Sequence, residues 1–242
     1  MTGNDQIFDA AFERVGVLRV NTISELFDCA KTLSMQERPG GNKLAIITNA
    51  GGPGVIATDA LIAEGGQLAA LSKETMAYLN TALPAYWSHA NPIDVLGDAD
   101  GQRYKKAIDA AVNDQGVDGV LVILTPQAVT DAVGIARELV VLRTKTRKTI
   151  LGVWMGEEDV AEGRDILESG RIPAYEKPED AIRAFINMYR YEQNLDLLYQ
   201  TPGTIPHAFE PKTEKNKQII QTAISQNRFI LTEPEAKELL SN

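Results

Sequence analysis

KLAIITNAGGPGVIATDALIAE, residues 43–64, is the stretch around which the chain is organised. Its opening is apolar and rich in β-branched side chains, the composition of a buried strand. Ala50-Gly51-Gly52-Pro53-Gly54 cannot extend that strand. From residue 55 the pattern is helical, with Val55, Ile56, Leu61 and Ile62 expected on one broad apolar face. Pro53 suits a first helical turn, where its missing N–H is no loss. The glycines leave backbone amides open to an approaching group, and a helix N-terminus carries partial positive charge. Two readings follow. Gly51, Gly52, Pro53, Gly54 and Val55 dock an oxyanion, a phosphoryl group above all, or they form an ordinary tight turn of an α/β fold. The run is neither the dinucleotide fingerprint nor the phosphate loop with its Lys-Ser/Thr ending.

The same alternation continues downstream. Residues 67–71, 119–124, 149–155 and 172–175 are apolar strand candidates, and GVLVIL at 119–124 is apolar on both faces. Helical patterns separate them, the last running from Pro178 to about Tyr199. Strand and helix in turn predict an α/β fold: a flavodoxin-like, doubly wound parallel sheet of about five strands in the order 2-1-3-4-5, with helices on both faces. Two further strand ends carry polar residues, Asn91 and Asp94 in NPIDVLGDA and Thr125, Pro126 and Gln127 in TPQ. They either form a second ligand-contacting turn or tie turns through backbone bonds.

Outside this core, residues 5–15 and 23–33 have helical spacing, with Thr22 and Glu25 placed as a capping box. Residues 17–20 (VLRV) form a short strand candidate. Proline punctuates residues 200–212, the pattern of a linker. A helix over 214–225, a strand over 228–231 and a capped helix over 232–240 follow. The organisation expected is a lead-in at 1–42, a central domain at 43–200, and a linker with the start of another domain at 201–242.

Composition narrows the function. Lys plus Arg number 24 against 33 Asp plus Glu, a net charge of -9, which argues against a nucleic-acid surface. No apolar run approaches the ~20 residues of a membrane span, and the start lacks a signal-peptide core, so a cytoplasmic protein is expected. One cysteine, Cys29, excludes an internal disulfide and fits a small buried hydrophobe. His89 and His207 are the only histidines, and no Cys/His cluster has metal-ligand spacing.

TNAGGPGVIATDAL, NPIDVLGDA, GVLVILTPQAVTD, WMG followed by VAEG, and the terminal LTEPEAKELL together resemble ordered blocks of the NDP-forming acyl-CoA synthetases, which include ADP-forming acetyl-CoA and succinyl-CoA synthetases. The resemblance covers nearly the whole chain. In that family a carboxylic acid, CoA and a nucleoside triphosphate are linked through a phosphohistidine on a mobile loop. This chain is similar to the second flavodoxin-like domain, so Gly51, Gly52 and Gly54 are implied to form a phosphate-facing helix start. The family's Ser-His-Thr-Gly block is absent, and neither His89 nor His207 matches it. The resemblance therefore implies no catalytic residue and no metal here, and an inactive isolated chain. It implies ATP/ADP, Mg and CoA as cofactors of a complete enzyme. Implied partners are a phosphohistidine-bearing domain and an ATP-grasp domain, with a homo-oligomer allowed by uncovered apolar surface. Two alternatives stand beside it: a ligand-binding regulatory segment of a protein lysine acetyltransferase, and a stand-alone flavodoxin-like module using FMN. An aspartate at Gly54 is expected to spare the fold while repelling phosphate.

Overall fold

Six strands run parallel in one sheet in the computed structural model, which describes residues 5–199 and 212–241. β1 (Lys43–Thr48), β2 (Gln67–Leu68), β3 (Ile93–Asp94), β4 (Gly119–Leu124), β5 (Thr149–Trp154) and β6 (Ala174–Tyr175) lie in the order β2-β1-β4-β5-β6, and β3 also pairs with β1. With β3 set aside, this is the expected doubly wound order. β2 pairs with Lys43 and Leu44 and β3 with Ile47 and Thr48, so the two short strands lie end to end along one edge of β1. The Asn91 side chain closes the gap between them. Its Oδ1 accepts from the Ile46 N–H (2.9 Å), and its Nδ2 donates to the Leu44 (2.9 Å) and Ala69 (3.0 Å) carbonyls. A side-chain amide has the donor and acceptor that a missing strand residue would supply.

Alternation along the strands builds two cores. Leu44, Ile46, Leu121, Ile123, Leu151 and Val153 face α3 (Gly51–Ala63) and α8 (Pro178–Tyr199), meeting Ala57, Leu61, Ile182 and Phe185. Ala45, Ile47, Val120, Val122, Ile150 and Trp154 face the other layer. That layer is α4 (Lys73–Ala82), α5 (Gly101–Asn113), α6 (Ala132–Arg143) and α7 (Ala161–Ser169), which contribute Leu79, Tyr104, Ile108, Ile135, Leu139 and Leu167. Burying each large side chain contributes about 1.5–3 kcal/mol, so the two apolar layers outweigh any local helix preference.

α2 (Ile23–Met35) packs on α8 through its buried residues Cys29 and Thr32, and the Thr32 hydroxyl is hydrogen-bonded to that of Tyr175. α1 (Asp5–Arg14) precedes it and buries no residue. Burial pushes the Cys29 thiol up, and Asn187 Nδ2 donates to its sulfur (3.4 Å). A buried thiol so held is unreactive. Ellman's reagent is expected to label Cys29 at least ~100-fold more slowly in native protein than in denaturant; equal rates would show that α2 opens freely.

Several expectations change. Residues 17–20 form no strand: the Val17 N–H bonds back to Phe12, and its carbonyl accepts from Asn194 of α8. The strands expected at 67–71 and 172–175 shorten to two residues each. Val55, Ile56 and Ile62 are exposed, because the stripe of α3 facing the sheet is Gly54, Ala57 and Leu61. Gly54 itself is buried, and a Cβ there would stand 3.1 Å from Thr48 Cγ2 and 3.5 Å from Pro92. Aspartate at 54 would thus disturb this packing, contrary to the expectation that it spares the fold.

The chain divides into two compact units, Met1–Tyr199 and Gln200–Asn242. The linker expected over 200–212 falls almost entirely outside the described residues. In the second unit, α9 (Thr213–Ser225) and α10 (Glu233–Ser241) are joined by a turn in place of the strand expected at 228–231. Asn227 has φ 55° there, and Arg228 pairs with Glu235, whose carboxyl is pulled down to about 2 by that guanidinium and by the Thr232 N–H. Among the described residues no helix is long and apolar enough to cross a membrane.

Candidate functional site

The C-terminal ends of β1 and β4 are adjacent, although β2 and β3 intervene between them in sequence. This is the switch point of the sheet, where helices depart to opposite faces and leave a crevice. α3 starts here. Its N-cap is Ala50, which has no side chain to cap the helix, and Thr48 Oγ1 instead accepts from the Ala50 N–H (3.1 Å). The Gly54 N–H already bonds to the Ala50 carbonyl (3.4 Å), and Pro53 has no N–H to give. Of the five residues read as anion-docking, Gly51 and Gly52 are therefore the exposed amides that precede the first intrahelical bond. Nothing lies within 4 Å of where a Gly52 Cβ would be.

The second group of sequence candidates divides. Asp94 reaches the α3 start: a Cβ on Gly51 would stand 3.7 Å from its Oδ2. Its Oδ1 accepts from the Leu96 N–H (2.8 Å), while its own N–H donates to Ser88 Oγ (2.9 Å). Asn91 lies back along β1 with its amide committed to strand backbone. Thr125, Pro126 and Gln127 leave β4 next to the crevice. Thr125 donates its N–H (2.8 Å) and hydroxyl (3.0 Å) to Asn49 Oδ1, and Gln127 comes near Gly97. Pro126 packs toward Gly156 at the end of β5.

Asn49 is the site residue that sequence reasoning missed. It is buried, its Nδ2 donates to the Thr125 carbonyl (2.8 Å), and it clamps the β1 end to the β4 end. A polar residue that ends a β-branched run two positions before a glycine pair was the available signal. Arg103 and Arg164, whose guanidinium groups bond the loops after β3 and β5, are engaged. Arg103 bonds the Val95 carbonyl (3.0 Å) and Asp98 (2.5 Å), holding that carboxyl below its usual range. Arg164 bonds the carbonyls of Gly156 (2.8 Å) and Glu157 (3.1 Å) and the Glu176 carboxylate (3.1 Å). The groups left open at the crevice are thus the backbone amides at the start of α3, where the helix dipole is positive. Among the described residues no three His, Cys, Asp or Glu side chains converge as a metal site. Trp87 and Trp154 are core residues, donating to Asn80 and to the Ala132 carbonyl, and His89 has both ring nitrogens bonded, to Asn80 and the Ala85 carbonyl.

Comparison with known proteins bears on this site. The family described as ligase-CoA domain matches residues 44–198, and that described as succinyl-CoA ligase like flavodoxin domain matches residues 1–33. A 4-hydroxybutyrate–CoA ligase (ADP-forming) of Nitrosopumilus maritimus is 32% identical over 240 residues, 99% of this chain and 34% of that protein. An acetate–CoA ligase (ADP-forming) I of Archaeoglobus fulgidus is 39% identical over 193 residues, 80% of this chain and 27% of that protein. The chain thus spans about a third of the length of these curated relatives. The structure of the dinucleotide forming acetyl-coenzyme A synthetase 1 of Ca. Korarchaeum cryptofilum, in complex with phosphate and ADP, matches with a TM-score of 0.77 and 29% identity. The match covers 84% of this chain and 45% of that one.

Proposed function

The chain belongs to the ligase-CoA domain family, its matched relatives being ADP-forming CoA ligases, and from that premise we propose that it is the part of an NDP-forming acyl-CoA synthetase that receives a phosphohistidine. The complete enzyme would link a carboxylic acid to CoA at the expense of ATP, with ATP/ADP, Mg and CoA held largely by other domains. This chain's contribution is a docking surface, and the phosphohistidine-bearing and ATP-grasp domains are its partners. The isolated chain is then inactive.

The observation that carries the reading is the uncapped start of α3 at the switch point, with Gly51 and Gly52 exposed and no Cβ in the way. A phosphoryl group fits there on two amide donors and the helix dipole. Asp94 adds a complement. A bare phosphate dianion gains nothing from a carboxylate close to Gly51, whereas a phosphorylated imidazole can take up a proton on its other ring nitrogen and donate that N–H to the carboxylate. The pair of amides and the single carboxylate therefore suit the two ends of a phosphohistidine better than free phosphate. Backbone donors bind such a group without a charged side chain that would hold it too tightly for transfer.

The test is an NMR titration of the chain with a phosphoramidate of methylimidazole, alongside inorganic phosphate. Saturable shifts are expected at the Gly51 and Gly52 amides, with the imidazole adduct binding at least ~5-fold more tightly than phosphate. Shifts confined to surface lysines and arginines would remove the anion role of this turn.

A further inference from the structure

An open pocket of about 370 Å³ lies at the amino ends of β1, β4 and β5. The crevice is at the other end of these strands, six residues or about 20 Å away. Arg38, Asp118, Arg147 and Lys148 line the pocket, and the docking role proposed above uses none of them. Lys148 is half-buried, and its Nζ donates to the Asp114 carbonyl at the end of α5. Among the described residues no carboxylate forms an ion pair with it. Lys105, by contrast, pairs with Glu138 at 2.9 Å, which pushes its ammonium up. Burial pushes the Lys148 ammonium down, against the pull of the Asp114 and Asp118 carboxylates. A lysine so lowered offers more neutral amine, the nucleophilic form. Arg147 lines the same pocket, 91% exposed and paired with Glu37 only at 3.8 Å, whereas Arg38 is engaged by Glu192 and lies over the Tyr191 ring. A loosely held guanidinium next to an amine nucleophile suits an electrophile that carries a phosphoryl group.

We propose that Lys148 is a site of acylation by an acyl phosphate, with Arg147 drawing the phosphoryl group into the pocket. The amine nitrogen attacks the acyl carbon. The N–C bond forms, the bond from that carbon to the phosphoryl-bearing oxygen breaks, and the amine proton leaves on the departing phosphate. The products are an N-acyl lysine and inorganic phosphate, and no further reactant is needed. An acyl phosphate of a short carboxylic acid fits a pocket of this size, whereas most of a CoA thioester would lie outside it. The acylated side chain keeps an N–H for the Asp114 carbonyl and loses its charge. Asp114 accepts from the Ser72 (2.7 Å) and Gly116 (2.8 Å) N–H groups and Asp118 from that of Lys43 (2.9 Å), so both carboxylates stay bonded when that charge is gone. The inference rests on the synthetase reading above only for the source of the acyl phosphate, an activated acid made beside the residue it modifies.

The experiment incubates the full chain with acetyl phosphate, digests it and follows each lysine by mass spectrometry. Lys148 is expected to gain the acetyl group at least ~10-fold faster than the exposed Lys106 and Lys145, and no faster than they do once the chain is unfolded in urea. Arg147→Ala should slow labelling at Lys148 by about 5-fold or more, and Arg147→Lys should restore most of it, with Lys106 unchanged in both. Arg147 is exposed, so neither variant should lower the melting temperature. Acetyl-CoA in place of acetyl phosphate should show no preference for Lys148 over Lys145. A native Lys148 rate at or below that of Lys145 overturns the proposal. So does an unchanged rate in Arg147→Ala, or an equal preference for Lys148 with acetyl-CoA, since either leaves the phosphoryl group without a role. The acetyl phosphate is added from outside, so labelling succeeds or fails whether or not the Gly51 and Gly52 amides bind a phosphorylated imidazole. Failure of the docking reading shows in the titration alone.

Discussion

Gly52→Asp is expected to leave the chain as stable as before or slightly more so, and to lower the turnover of an assembled synthetase by about 100-fold. The two effects have one cause. Gly52 is the second residue of α3, where a carboxylate interacts favourably with the helix dipole, by about 0.3–1 kcal/mol. Replacing a helical glycine adds a similar amount through the unfolded chain. Nothing crowds the new side chain, and a rise in melting temperature of about 2–4 °C is the upper expectation. The same carboxylate occupies the place where a phosphoryl group is proposed to dock, and with Asp94 it makes the turn doubly negative. Loss of one well-aimed donor in an oxyanion site costs roughly 10²–10³ in rate, and active repulsion should reach that range. Gly52→Ala keeps the amide and adds only a methyl, so its turnover should stay within about threefold. Normal turnover in Gly52→Asp would end the docking role of α3. Equal losses in both variants would make the effect steric.

The second large effect is on stability. Asn91→Ala is expected to cost about 4 kcal/mol, because it leaves the Ile46 N–H and the Leu44 and Ala69 carbonyls unpaired at the buried seam of β1, β2 and β3. In a domain of this size that lowers the melting temperature by roughly 10 °C. Asn91→Asp separates the roles of the two side-chain atoms. It keeps an acceptor for Ile46 but turns a carboxylate toward two carbonyl oxygens, which raises its folded-state pKa above the unfolded value. Stability should therefore be worst at neutral pH and recover as pH falls through the folded pKa, when a protonated oxygen can donate. Denaturant melts at pH 7 and pH 5 check the sign. A loss under about 1 kcal/mol in Asn91→Ala would mean that water replaces the amide at this seam.

How much of this was legible in the residues depended on whether a segment finds its partners within the chain. GVLVIL and TILGVW are uniformly apolar, and they became the central strands β4 and β5, because a strand covered on both faces needs no other code. The start of α8 at Pro178 was marked by its own residues. VLRV and the sequence at 228–231 have strand composition too, but pairing is a property of two segments. One is held by α8, and the other is closed into a turn by Arg228 and Glu235. The apolar count of α3 was readable while its orientation was not. That orientation follows from the helix starting at Gly51, which directs Leu61 inward and Val55 and Ile62 outward. The glycine turn was visible as a candidate site from sequence, but the difference between Gly54, which packs, and Gly52, which is open, needed coordinates.

α8 lies between α2 and α3. One side rests on the sheet and α3, and the other carries α2. Near its start, Arg183 pairs with both Glu25 of α2 and Glu64 at the end of α3, and about two turns later each Arg190 contact returns to Glu64 or to Asn187. Its 22 residues make a rod of about 33 Å. Such a rod works as a gauge block: α2 is set against α3 through one stiff part and two arginine pins, so alignment error between them is absorbed neither by a loop nor by a hinge. One residue inserted in α8 would turn everything beyond it by about 100° and shift it by about 1.5 Å. Its length should accordingly tolerate far less change than that of the loops around it.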